Sequence, residues 1–303
     1  MLTILLGLSM LLGGIFIMRY GLKKALWVKL QAVLENLTKT PWRGLVLGAI
    51  AAALMQSSTT VCLITIGLVS ADYISFRQAL GIILGANIGT CSTLQLVNMA
   101  IPLDYTLPLL AIAIMATAVR PLRFSGIAAS GLLSMLAGLD ILMAGISRLS
   151  GMNELAQFLV LARSNPLYGI WGGVVATLVF QSSSAATALL MVLADMGLVD
   201  SSTAAYVVYG NNIGSCVSSL VFSAAAPLAA RRVALSHIVL NVLGVMLFYP
   251  FTALLVGAAS FLTPEFSGQI AAMHTLFNLL SSLMVLPFYN QFVRLIYFLV
   301  PER

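Results

Sequence analysis

Charge is the scarcest commodity in this sequence. Of 303 residues only 8% are Asp, Glu, Lys or Arg, while 60% are hydrophobic; a soluble domain carries about 25% charge. So few charges cannot cover a globular surface in water, so the solvent is lipid. Acidic residues are the rarer kind, nine against fifteen basic ones, for a net charge of +6. In a soluble chain that excess would suggest nucleic acid. Here the basic residues are thinly scattered between apolar runs, so they read as orientation signals, and no nucleic-acid partner is expected. Cysteine is limited to Cys62, Cys91 and Cys216, an odd number inside apolar segments, which excludes a disulfide framework. No CxxC or HExxH spacing is present, and no GxSxG elbow, which removes the usual zinc sites and the α/β-hydrolase nucleophile. The apolar run 2–18 has neither a basic n-region nor a small-x-small cleavage site, and it recurs in mid-chain, so it reads as a structural helix.

The conspicuous presence is a duplication. "LMQSSTTVCL" at 54–63 returns as "VFQSSSAATA" at 179–188. Gln56 and Gln181 are 125 residues apart, as are Pro41 and Pro166, Gly44 and Gly169, Gly48 and Gly173, Asn87 and Asn212, and Cys91 and Cys216. "LSMLLGGIFIM" (8–18) meets "LSMLAGLDILM" (133–143) at the same offset. Hydrophobic bias aligns Leu with Ala; it does not align Gln-Ser-Ser with Gln-Ser-Ser at an ungapped offset.

Apolar stretches long enough to cross a bilayer run over 2–18, 78–97, 103–119, 124–146, 202–226, 233–257 and 269–290. The shorter, amphipathic 24–38 and 150–163 are expected along the interface. The Gln-Ser segments 42–71 and 167–196 are interrupted at their middle by polar residues. Thirty helical residues would measure about 45 Å, too long for one untilted crossing of a ~30 Å core. Two arms folded back at the polar tip would each reach the midplane, so both are read as re-entrant helical hairpins. With that count, thirteen Lys and Arg fall on one side and only Arg148 and Arg163 on the other, which places the N-terminus outside and the C-terminus in the cytoplasm. Three crossings separate the hairpins, so the second repeat is upside down relative to the first. The expected fold is an all-α polytopic membrane protein of two inverted repeats, 1–122 and 123–303, the second with an extra C-terminal crossing. Inverted repeats with broken helices and a midplane site are secondary-transporter architecture.

At each tip a starting helix offers free N–H groups and partial positive charge. Ser57, Ser58 and Thr59, and likewise Ser182, Ser183 and Ser184, suit an N-cap. Two such starts aimed at one spot would hold an anion. The ending helices offer carbonyls, which with the side-chain oxygens of Gln56 and Gln181 suit a small hard cation; the alternative is that the two glutamines simply cap those carbonyls. The Asn-Ile-Gly runs at 87–89 and 212–214 lie among Gly85, Gly89, Gly210 and Gly214 and are followed by hydroxyls, so an unwound transmembrane segment is expected beside each tip. No Lys or Arg lies in these four motifs. An oxyanion there would be neutralised by co-bound cations, which makes transport ion-coupled.

"QSSTT", "GANIGT", "QSSSA" and "GNNIGS", with "RRVALSHIVLNVLG" (231–244) and "AAMHTLFNLL" (271–280), resemble the bacterial sodium/phosphate cotransporter family, related to the animal type II sodium-dependent phosphate transporters. The resemblance spans nearly the whole chain. It implies sodium-coupled movement of inorganic phosphate across the cell membrane, with Ser57, Ser58, Ser182, Ser183, Asn87 and Asn212 at phosphate. It likewise implies Gln56, Gln181, Thr59, Thr90, Ser215, Ser218 and Ser219 at the co-transported sodium. Thr59, Asn211 and Ser215 depart from the family pattern but leave oxygen ligands in place. Many bacterial members carry a C-terminal domain similar to a phosphate-uptake regulator; residues 1–303 include none. Regulation of that kind would need a separate protein, and a homodimer is the other protein partner considered.

His237 and Asn241 are four apart, as are His274 and Asn278; each pair shares a helix face and reads as a hydrogen-bonded packing pair, with a proton relay as the alternative. Asp140 falls near the outer end of a crossing, where hydration competes with function as its explanation. The competing functions are a carrier of sulfate or a dicarboxylate, a proton-coupled carrier, a passive anion channel, and an intramembrane serine hydrolase. No enzymatic activity is expected.

Overall fold

The computed structural model describes residues 2–37, 40–99, 101–147 and 162–301, with the side chains of 27–37 excepted. Every regular element among them is helical. Helix α1 (Leu2–Leu37) is continuous. Two short helices follow, α2 (Pro41–Met55) and α3 (Ser58–Ser70), then α4 (Phe76–Gly89), α5 (Ser92–Val97), α6 (Leu103–Ala116) and α7 (Arg123–Ile146). The second half holds α8 (Pro166–Phe180), α9 (Ser183–Asp195), α10 (Ser201–Ser223), α11 (Leu228–Phe248), α12 (Thr252–Leu262), α13 (Phe266–Val285) and α14 (Tyr289–Leu299). Among the described residues four stretches are long and apolar enough to cross a membrane: Leu2–Leu26, Phe76–Val97, Arg120–Ile146 and Leu228–Leu262. A fifth is formed if α13 and α14, bent by 90°, are taken as one span. Large apolar side chains stand outward on these helices, Phe261 at 91% exposure and Leu2 at 82%; lipid is the solvent that accepts such a surface. This is a multi-pass membrane protein.

The duplication is visible in the packing. A Cβ added to Gly48 would lie 2.2 Å from the carbonyl oxygen of Ile82, and one on Gly173 2.2 Å from that of Val207. At Gly85 the obstacle is the Leu45 carbonyl at 1.9 Å, and at Gly210 the Ile170 carbonyl at 1.9 Å. Each residue in these contacts has its counterpart 125 positions on. The contacts advance in step along α2 and α4, so those two helices run parallel; α8 and α10 do the same. If α3 continued straight on from α2, its end would lie about 40 Å from Pro41. Yet Pro41 touches Gly81 in the first turns of α4, and the five-residue link from α3 spans about 20 Å at most. The chain therefore doubles back between α2 and α3, and by the same geometry between α8 and α9. The turns that follow also match: Asp72 and Gly197 both have positive φ, 57° and 72°.

The equivalent segments of α1 and α7 pack on each other in opposite directions. Gly7 lies against Leu142, Gly14 against Met135 and Gly21 against Ala128. Small residues let these backbones approach closely.

Three sequence expectations are corrected. Residues 24–37 continue α1 instead of forming a separate interfacial helix. Helix α6 is shorter than the expected crossing 103–119: at 14 residues it measures about 21 Å and can cross a ~30 Å core only where the bilayer thins around it. The Asn-Ile-Gly segments are not unwound. Helix α10 runs unbroken through Gly210–Gly214, and the break after Gly89 consists of Thr90 and Cys91, both with helical dihedrals. The physical reason lies in the contacts above: these glycines serve close helix packing, not backbone release. The expected interfacial segment 150–163 lies, up to residue 161, outside the described residues.

Candidate functional site

Each tip is built by the same local code. Thr40 caps α2 and Asn165 caps α8, both followed by proline at the first helical position, where the missing N–H costs nothing. The arms end at Gln56 (φ 51°, ψ 32°) and Gln181 (φ 51°, ψ 26°), both left-handed. Left-handed residues end helices because they turn the chain away from the axis. Ser57 and Ser182 then start the return helices as N-caps, their hydroxyls accepting from the N–H of Thr60 and of Ala185. The N–H groups of the first two residues of each helix, Ser58 and Thr59 in one and Ser183 and Ser184 in the other, have no intrahelical acceptor.

The tips meet. A cavity of about 350 Å³ is lined by Ser57, Ser58, Thr59 and Thr60 from one tip and by Gln181, Ser182 and Ser183 from the other. Thr90, Thr177, Gly214, Ser215 and Ser218 line it from the neighbouring helices. Thr59 Oγ1 donates to the Ser215 carbonyl at 3.4 Å, joining the two halves. Of the sequence-predicted residues, Gln56, Asn87, Asn212 and Ser219 are buried outside this lining. Asn212 Nδ2 donates to the Val208 carbonyl, 2.9 Å, one turn back, and Ser219 Oγ to that of Cys216, 2.8 Å. Gln56 Nε2 bonds the Ala53 carbonyl and Ser92 Oγ, while its Oε1 is buried with no partner among the described residues. Gln181 Nε2 likewise closes on the Leu178 carbonyl, 2.6 Å. Both glutamines thus satisfy the carbonyls of the helices they end.

Sequence reasoning missed the charge. Phe16, Arg19, Tyr20 and Lys23, one face of α1, also line the cavity. Arg19 Nε donates to the Gln56 carbonyl at 2.9 Å and its Nη2 to Ser184 Oγ at 3.3 Å, so one guanidinium bridges the two tips. Taken as a boundary charge closing the run 2–18, it stands instead in the middle of a longer helix. Its spacing with Phe16, Tyr20 and Lys23 was the available signal. None of the lining residues is acidic. Asn211, read from sequence as a departure from a family pattern and as part of the expected break in its helix, ties α8 to α9. Its Oδ1 accepts from Thr177 Oγ1 at 3.1 Å and its Nδ2 donates to Thr187 Oγ1 at 2.9 Å.

Each histidine pair is joined within its own helix, and Asn241 Nδ2 also reaches Cys216 Sγ at 3.2 Å. Asn241 and Asn278 donate to the backbone carbonyls of His237 (3.0 Å) and His274 (2.9 Å), and neither histidine's Nδ1 has a partner among the described residues. Asp140 is exposed and borders a separate cavity of about 100 Å³ with Asp195 and Glu265.

Fold and site together define a helical membrane protein with a central, hydroxyl-rich cavity whose described lining holds Arg19 and Lys23 and no acidic residue. The family described as Na+/Pi-cotransporter matches residues 10–147 and again 134–277, and the chain belongs to that family. It is 30% identical over 261 residues to "Uncharacterized protein YqeW" of Bacillus subtilis, covering 84% of this chain and 83% of the relative. It is 26% identical over 259 residues to "Putative inorganic phosphate export protein YjbB" of Escherichia coli K12, covering 84% of this chain and 47% of that protein's length. A 65-residue stretch is 38% identical to human "Sodium-dependent phosphate transport protein 2B", covering 22% of this chain and 9% of that one. No solved structure matches the chain.

Proposed function

We propose that this protein is a secondary carrier that couples sodium influx to the movement of inorganic phosphate by alternating access. The observation that carries the reading is the cavity. Two helix starts with serine caps, a bridging arginine and no carboxylate converge on one space. Such a site favours an anion rich in acceptor oxygens, because free N–H groups, hydroxyls and a guanidinium are all donors. Phosphate is taken from the family description and from the relatives' printed names; sodium comes from the family and the human relative. Ser57, Ser58, Ser182 and Ser183 are the proposed phosphate contacts, with Thr59, Thr90, Gln181, Ser215 and Ser218 offering oxygens to sodium. Gln56, Asn87, Asn212 and Ser219 would act from behind that lining.

In this account each doubled-back helix pair is a re-entrant hairpin, and the two halves are inverted repeats with the N-terminus outside and the C-terminus in the cytoplasm of a cell-membrane protein. The antiparallel packing of α1 on α7 supports inversion. So does the crowding of basic residues at 19–43, 120–123 and 231–232. Rocking one half against the other would open the shared cavity to either side.

Radiolabelled phosphate uptake into proteoliposomes tests the reading. Saturable uptake is expected, driven by an inward sodium gradient, indifferent to a proton gradient and poorly competed by sulfate. Uptake driven by protons, or abolished equally by sulfate, would point to the other carriers. Uptake linear in concentration would point to a channel. Direction is tested with vesicles of known orientation, since YjbB carries export in its name.

A further inference from the structure

The two tips are alike in backbone but not in charge. Arg19 serves the first tip; the residue 125 positions on is Ala144, which is exposed. We propose that Arg19 is a resident cation, filling at the first tip the place that a coupled sodium ion would otherwise take, so that sodium is required at the second tip alone. The inference rests on the phosphate and sodium reading above.

A helix that ends at a left-handed residue presents carbonyl oxygens with partial negative charge, the natural ligands of a cation. At the first tip that position is taken, because Arg19 Nε–H donates to the Gln56 carbonyl at 2.9 Å. Its Nη2 reaches Ser184 Oγ in the other half at 3.3 Å. A guanidinium has five N–H donors, so donors remain for an anion held by Ser57 and Ser58. No described residue lining the cavity is a carboxylate, and Arg19 makes no ion pair among the described residues. Among those residues nothing balances its charge, which is left to what binds. At the second tip Gln181 has nearly the same dihedrals, but among the described residues no guanidinium reaches its carbonyl. Lys23 lines the same cavity, so the comparison is between the tips: a dianion held between them meets the fixed Arg19 charge at the first and a mobile cation at the second, and loss of the fixed charge opens a second place for a mobile one.

The test is phosphate binding to the purified full-length protein, titrated against sodium, in wild type, Arg19→Gln and Arg19→Lys. Glutamine keeps a donor for the Gln56 carbonyl and loses the charge; lysine keeps the charge. At low sodium, Arg19→Gln should bind phosphate about 10- to 100-fold more weakly, the loss expected for one charge-assisted contact. Its sodium Hill coefficient should rise by about one, with affinity recovering at high sodium. Arg19→Lys should keep the wild-type sodium slope. An unchanged slope in Arg19→Gln, or a loss that sodium does not restore, overturns the resident cation while leaving the carrier reading intact. Failure of the wild type to bind phosphate in sodium overturns the carrier reading itself.

Discussion

At the scale of single residues, the adjacent serines at each tip have separable duties. Ser57 and Ser182 hold their helices by capping them, so alanine at either should cost about 1 kcal/mol of stability as well as phosphate affinity. Ser58 and Ser183 lie inside the first turn and line the cavity. Alanine there should lower phosphate affinity and leave the unfolding free energy within about 0.5 kcal/mol of wild type. Thermal unfolding in detergent, paired with phosphate binding, separates the two cases. A wild-type affinity in Ser58→Ala and Ser183→Ala would remove those hydroxyls from the site. The caps were legible in advance, because a serine run after an apolar helix has few other uses in lipid. Arg19 was not. Apolar run length suggested where a helix should stop, and a charge at that point resembles a membrane boundary. Only the continuation of α1 turns it inward, and the absence of a matching charge at Ala144 hid it from comparison of the two repeats.

At the scale of helices, glycine decides how closely the hairpins approach their partners. Gly85→Ala and Gly210→Ala would each drive a methyl group to 1.9 Å from a backbone carbonyl oxygen. A rigid backbone cannot yield to that, so a loss of about 3 kcal/mol or more is expected, with little folded protein recovered. Gly67→Ala is the control: nothing lies within 4 Å of its added Cβ, and the helix should gain about 0.5–1 kcal/mol from better propensity. Denaturant or thermal unfolding distinguishes them, and equal behaviour of the three would refute the packing role. The same glycines misled the reading of Asn-Ile-Gly as unwound. Sequence cannot separate a glycine that frees a backbone from one that admits a neighbour. The answer depended on α2 and α8 lying against α4 and α10, which no local pattern records.

At the scale of the whole molecule, the duplication was the most legible feature, since a constant offset survives any error in element boundaries. In the proposed inverted arrangement, equivalent turns face opposite sides of the membrane. Tyr73 and Leu198 are 125 residues apart and exposed in the turns after each hairpin; Cys62, Cys91 and Cys216 are buried and should not react. In Tyr73→Cys and Leu198→Cys, an impermeant thiol reagent should label the first only from the cytoplasmic side and the second only from outside. Labelling of both from one side would break the inverted arrangement. The central claim is that two mirrored tips share one anion, and its most direct measurement is an experimental map of the protein with phosphate and sodium. Tetrahedral density bonded simultaneously to the Ser57–Ser58 and Ser182–Ser183 segments is the predicted result. Phosphate resting on one tip alone, or in another cavity, would contradict it.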